Sequence, residues 1–160
     1  MADHTAGNTW CSCDHFDSIA HFNYSKRMSG ETDIQILLKT MTPKLNEGDY
    51  VFCATTSLKN IDPKEIIGLF KEDEGLTVIL DKRLADKLNL EYSYISAWIT
   101  LTIHSSLEAV GLTAAFSNAL ANEGISCNVI AAYHHDHIFV AKKDGPKAIK
   151  VLKQLSLDNS

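Results

Sequence analysis

From residue 98 onward, the apolar positions of the chain change from strand-like to helix-like spacing. Residues 98–103 (WITLTI) are apolar and largely β-branched, which is typical of a buried strand. Helical spacing follows, and Gly124 stands where a left-handed C-cap would fall. The apolar members of this predicted helix are Leu112, Ala115, Phe116, Ala119 and Leu120.

The remaining segments of this half predict two more strands and a last helix. Residues 127–133 and 138–141 are apolar and flank the tetrapeptide HHDH, which predicts two strands joined by a tight turn. Residues 147–155 have helical spacing, with Pro146 near the start. The predicted order is β-α-β-β-α, with one edge strand to be found upstream or contributed by a neighbour.

The first half of the chain carries a less regular set of elements. We predict helices over residues 32–41 and 81–88 and strands over residues 50–55, 66–70 and 76–80. Gly75 would provide the positive φ of the hairpin between the last two strands. No Pro-, Gly- or Ser-rich linker separates the halves near Asn89, so we expect them to move as one body.

The loop HSSLEAVG, residues 104–111, is the candidate binding element. Gly111 permits a tight turn and lets a ligand approach the backbone. The amides of residues 111–113 would be unpaired at the positive end of the helix, which suits a small carboxylate. A purely structural interpretation is also open, because Ser105 and Glu108 have capping-box spacing.

Five stretches between residues 28 and 155 resemble a small, uncharacterised bacterial family of ACT-domain proteins: LLKTM, GDYVFC, EGLTVIL, WITLTIHSSLEAVGLTAAF and YHHDHIFV. ACT domains are amino-acid-binding regulatory domains, and they often carry Asp-x-Pro-Gly before the first helix. Here Glu108 stands in place of Asp and Val110 in place of Pro, while Gly111 is retained. The family is distantly similar to the cytosolic arginine sensors of animals, which are built from tandem ACT domains.

The resemblance implies an α+β protein with a ferredoxin-like βαββαβ ACT domain over residues 91–160. A second, degenerate ACT-like half would precede it over residues 28–90, and residues 1–27 would be an N-terminal extension. The aromatic-x-x-Asp-His motif of the arginine sensors matches Tyr133, Asp136 and His137. Their serine–valine contribution from the other unit falls near Ser93, whereas the acidic loop residue is displaced by one position, so the match does not extend to arginine specificity.

Composition and charge narrow the function classes. The 160 residues are 45% hydrophobic and 22% charged, as in globular proteins. A net charge of −5 gives no electrostatic footprint for nucleic acid or anionic membranes. We find neither an apolar run of ~18 residues nor a secretory signal. The four cysteines form no dense disulfide framework, so we expect a cytoplasmic protein.

The histidines support an alternative function, a metal-dependent or histidine-based enzyme. Imidazoles and a carboxylate can hold a divalent metal. Neighbours on a strand face opposite sides, however, and the segment CSCDHF lacks zinc-knuckle spacing. No nucleophile elbow, P-loop, GxGxxG or CxxC is present. We therefore expect no cofactor and no metal, and the residues of the alternative are His104, His134, His135 and His137.

The predicted helix over residues 112–122 contains no charged residue. A helix on a small domain normally presents a charged face to water. Either the other half covers this helix, or it lies in an interface, and we predict a homodimer. An assembly module without a ligand is a further alternative.

We predict a non-catalytic regulatory or sensor protein that binds an amino acid or a similar small ligand and regulates an unidentified partner protein. The ligand carboxylate would meet the amides of residues 111–113, and its ammonium or side chain would meet acidic groups. The predicted ligand-binding residues are Ser93, Ser106, Glu108, Gly111, Leu112, Thr113, Tyr133 and Asp136.

Overall fold

The computed structural model describes residues 31–103 and 109–159. Within them, seven strands form one antiparallel sheet in the order β3-β4-β2-β5-β7-β6, and β1 also pairs with β5. The strands are β1 (Thr42–Leu45), β2 (Tyr50–Thr55), β3 (Gly68–Glu72), β4 (Gly75–Asp81), β5 (Ile95–Thr102), β6 (Cys127–Ala131) and β7 (Asp136–Ala141). The helices are α1 (Ile34–Thr40), α2 (Lys82–Lys87), α3 (Leu112–Asn122) and α4 (Gly145–Asp158), with 3-10 turns at Pro63–Glu65 and Lys142–Asp144.

The sheet contains two ferredoxin-like units that share β5. The first unit runs β2, 3-10 turn, β3, β4, α2, β5, and its sheet order is β3-β4-β2-β5. The second unit runs β5, α3, β6, β7, α4, and its order is β6-β7-β5-β1. The α+β, ferredoxin-like fold predicted from the sequence is therefore confirmed. The predicted boundary near Asn89 stays a prediction. In the structure, α1 and β1 complete the second unit, although they precede the first unit in the sequence.

Strand β1 is the edge strand that the sequence left to be found upstream. It pairs antiparallel with β5, from Thr42 opposite Thr102 to Leu45 opposite Ile99. The apolar pattern predicted no strand here, because four residues that include Pro43 show almost no alternation. Proline is tolerated at this position because β1 pairs on one side only, so the missing N–H costs no ladder hydrogen bond.

Most other predicted elements lie where the pattern placed them. Helix α3 has the predicted bounds, and Gly124 follows it with φ of 70°. Gly75 has φ of 146° in the β3–β4 hairpin, as expected. The last helix is longer than predicted, since it begins at Gly145 and ends at Asp158. None of the helices in residues 31–103 and 109–159 is long and apolar enough to cross a membrane.

The helices pack on one face of the sheet, which the strand register identifies. Val51 lies opposite Ile95, so the two share a face, and alternation carries that face to Ile99. The larger core joins α1, α3 and α4 to this face, with Phe116 fully buried, and a smaller core joins α2 to Val51. The opposite face holds a third cluster centred on Tyr50, Ile79 and Phe139.

Candidate functional site

Asp136 is the buried acidic residue of the site that the sequence predicted. It begins β7 and lies between Leu101 of β5 and Ala131 of β6 in the ladder. Because it is opposite Leu101, its side chain lies on the helix-bearing face, and the residue is only 5% exposed. The carboxylate is thus removed from water close to the point where β5 ends.

Burial raises the pKa of the Asp136 carboxyl, because the ionised form loses its hydration. Positive charge on His135 acts in the opposite direction and is the smaller effect. Among the described residues, no hydrogen bond contributes to this shift in the pKa of Asp136. An ionised Asp136 therefore favours a cation or a hydrogen-bond donor beside it.

Gly111 opens α3 with φ of 95°, a left-handed conformation that favours glycine. Among the described residues no side chain caps this end of the helix. The amides of Leu112 and Thr113 have no acceptor within the helix, as is general for a first helical turn. A Cβ at residue 111 would stand 2.9 Å from Ile34 Cδ1, which adds steric crowding to the φ strain. Residues 104–108 lie outside the described residues, and with them Ser106, Glu108, His104 and the predicted capping box.

The β6–β7 turn reaches the same end of β5. Nδ1 of His135 lies 3.5 Å from the carbonyl oxygen of Ile103, the last described residue before the loop. Tyr133 is 70% exposed in this turn, and its ring meets the His134 ring edge-on with centroids 4.9 Å apart. Ile103 and Leu112 belong to one core cluster. Asp136 and the turn therefore lie near the end of β5, and we call this end of β5, together with the start of α3, the corner of the second unit.

Ser93 does not join this corner within one chain. It is exposed and precedes β5, whereas Asp136 is paired with Leu101 near the other end of that strand. Eight residues of extended chain span roughly 26 Å.

His137 is adjacent to Asp136 in sequence but faces the other side of the sheet, because it lies opposite Thr100. Its Nδ1 accepts a hydrogen bond of 3.0 Å from Nε1 of Trp98, and Thr100 Oγ1 lies 3.3 Å away. Asn46 donates to the same Thr100 oxygen at 2.9 Å. Burial lowers the pKa of His137, in keeping with a neutral ring that accepts from an indole.

This placement also bears on the enzymatic alternative. His134 and His135 lie in the turn, with ring centroids 6.3 Å apart, while the His137 ring is engaged on the opposite face. Within residues 31–103 and 109–159, no group of three or more metal-ligating side chains is close enough to hold a metal ion. The network around His137 was not predicted from the sequence, because Trp98 and Asn46 are 52 residues apart in the chain. A tryptophan in an otherwise aliphatic strand was the available signal.

Two family models match the chain in succession. Residues 29–97 match one model described as an ACT domain, and residues 93–154 match a second model with the same description. ACT domains generally bind small-molecule ligands and are generally not catalytic. No protein among those with curated functions matches the chain.

Solved structures share the fold. A Vibrio cholerae protein of unknown function, described as a possible transport protein, is 46% identical, with 77% of this chain and 95% of that chain covered and a TM-score of 0.69. An Agrobacterium tumefaciens protein is 16% identical, with 72% and 89% covered and a TM-score of 0.53. The ligand-free regulatory subunit of Thermus thermophilus aspartate kinase is 9% identical, with 73% and 98% covered and a TM-score of 0.54. The last two show a shared fold alone.

Proposed function

The chain belongs to a bacterial family of ACT-domain proteins and carries two such domains in tandem, and from this premise we propose that it senses an amino acid or a close analogue. It would bind the ligand at the corner formed by Asp136, Tyr133 and residues 111–113, and it would catalyse nothing itself. Binding would regulate a partner protein in the cytoplasm.

The observation that supports this proposal most directly is the buried carboxylate of Asp136. Burial disfavours its charge, and no hydrogen bond from the described residues offsets that cost. A ligand ammonium would give the ionised carboxylate a charge-assisted hydrogen bond. The interaction of a bound cation with Asp136 is therefore stronger than it would be with an exposed aspartate.

The start of α3 supports a carboxylate on the same ligand. No Lys or Arg occurs between Lys87 and Lys142, so backbone amides are the donors that this part of the chain offers. The amides after Gly111 open an eleven-residue helix whose N-terminal end carries positive partial charge. Ammonium and carboxylate together describe an α-amino acid. Ser106 and Glu108 of the adjoining loop are proposed as further contacts.

We also propose that the working form is a homodimer. Exposed positions of α3 include Thr113, Ala114, Asn118 and Ala121, none of which is charged. A partner copy could contribute Ser93 to the corner, which one chain does not do. ACT domains often dimerise, which supports a homodimer that holds its ligand between two units.

A calorimetric screen of the twenty amino acids against the full chain tests the proposal. We expect at least one to bind, and Asp136→Ala to weaken it about tenfold to a hundredfold, since a lost charge-assisted hydrogen bond costs roughly 1.5–3 kcal/mol. Gly111→Val should abolish binding through φ strain and by blocking the backbone. Asp73→Ala, in the exposed β3–β4 turn, is the matched control. If both site variants bind the amino acid as tightly as the parent does, the ligand site lies elsewhere in the protein.

A further inference from the structure

A cleft of about 520 Å³ lies beside α2, at the end of β4. Its volume falls in the range of small-molecule sites, which is roughly 300–1,000 Å³. Its sheet residues Tyr50 and Trp98 lie on the opposite face from Asp136, because Tyr50 is opposite Ser96 whereas Asp136 is opposite Leu101. The lining residues are Tyr50, Glu65, Ile67, Asp81, Arg83, Leu84, Lys87 and Trp98.

The charges around this cleft balance. Asp81 accepts from Nε and Nη2 of Arg83, both at 3.0 Å, so that pair is neutral and three guanidinium N–H groups remain. Neither Glu65 nor Lys87 belongs to an ion pair among the residues that the structure describes. One acid and one base are therefore uncommitted, which disfavours a ligand of net charge and suits one that carries both signs.

The floor of the cleft is aromatic and apolar. The rings of Tyr50 and Trp98 meet edge to face, with centroids 5.2 Å apart. Their polar atoms are already engaged, because the Tyr50 hydroxyl donates to Glu47 O at 2.6 Å and the Trp98 indole donates to His137. Ring surfaces and the side chain of Ile67 are what the floor presents to a ligand, so an apolar or aromatic group fits there.

We propose that this cleft is a second ligand site, which takes a zwitterionic amino acid with an aromatic or large apolar side chain. The ligand carboxylate meets Lys87 and the free N–H groups of Arg83, its ammonium meets Glu65, and its side chain lies on Trp98. This goes beyond the proposed function, because the site lies in the first unit and shares no residue with the Asp136 corner.

L-phenylalanine is the probe, and the indole N–H signal of Trp98 in nitrogen-15 NMR is the readout, with Trp10→Phe as the background to leave one indole in the chain. We expect the signal to shift in a saturable way. Lys87→Glu and Glu65→Lys should each weaken binding about tenfold or more. Lys153→Glu, an exposed lysine on α4, should leave it unchanged. Phenethylamine and hydrocinnamate, which lack the carboxylate and the ammonium respectively, should bind much more weakly.

Three outcomes would overturn the inference. The first is no shift at about 10 mM phenylalanine, which would show no useful affinity. The second is equal binding of phenethylamine or hydrocinnamate, which would remove the requirement for both charges. The third is binding that survives Lys87→Glu but is lost in Asp136→Asn, which would place phenylalanine at the other corner and leave the proposed function standing.

Discussion

Replacing Asp136 by Asn should stabilise the ligand-free protein. The residue is 5% exposed, and its carboxyl pKa is raised by burial with no offsetting hydrogen bond from the described residues. Burying a polar group without such a bond costs ~1–3 kcal/mol in proteins, and a charge costs more than an amide. We therefore expect Asp136→Asn to increase the free energy of unfolding by about 1 kcal/mol near neutral pH, or roughly 2–4 °C in Tm.

The stability difference between the parent and Asp136→Asn should also depend on pH. A raised carboxyl pKa means that ionisation opposes folding, so the cost is present above the folded-state pKa and disappears below the unfolded value of about 3.9. Urea unfolding of parent and variant at a series of pH values should show the stability gap narrowing as pH falls toward about 4. Asp73→Asn, in an exposed turn, is the matched control and should show no such gap.

A bound ligand should make the parent more stable than Asp136→Asn, the reverse of the order expected without ligand. If an amino acid binds Asp136, it stabilises the parent by RT ln(1 + [L]/Kd) and the variant by much less, so the two thermal curves cross as ligand is added. The reasoning is refuted if Asp136→Asn is less stable than the parent at every pH. The carboxylate would then be held by strong donors, for which residues 104–108 are the first place to look.

Three further predictions follow from the same structure. Phe116→Ala should cost ~3–5 kcal/mol in urea unfolding, because Phe116 is fully buried, whereas Phe70→Ala, at a residue 44% exposed, should cost far less; similar losses would contradict the assigned face of α3. The lowered pKa of His137 means that its neutral form is preferred in the fold, so its contribution is complete above about 6.5 and is lost as pH falls through the lower folded value. His137→Gln should flatten the pH dependence of stability in that range, and an unchanged profile would exclude the role. Light scattering should show a dimer at micromolar concentration, and a charge introduced by Ala114→Glu on the exposed side of α3 should convert it to monomer; a parent that is already monomeric would count against the interface.

Local patterns predicted those parts of the fold whose signals lie within a few residues. Helix α3 was placed residue by residue because apolar spacing and Gly124 mark its body and end. Strand β1 was missed because four residues with a proline carry little pattern, and only its partner β5 defines it. The two halves of the sheet are specified by long-range pairing, which a single sequence does not display.

The candidate site stays a prediction. Gly111 and Asp136 were identified by backbone chemistry and by resemblance, and register places Asp136 opposite Leu101, near the end of β5. The motif treats Asp136 and His137 as neighbours, but alternation along β7 sends them to opposite faces. The cleft beside α2 depends on Glu65, Lys87 and Trp98, which come together only in the folded sheet. No spacing along the chain would have grouped them.

The sharing of β5 makes the protein hard to divide. A fragment that began at residue 91 would lack β1, and so would expose the edge of β5 that this strand covers. A fragment that ended at residue 90 would carry β1 and most of the first unit. It would lack β5, the strand with which both β1 and β2 pair. Each piece would thus hold what the other lacks. A chain cut between α2 and β5 should therefore behave as two complementing fragments that recover the fold only on mixing, which makes this link a natural place for a split reporter.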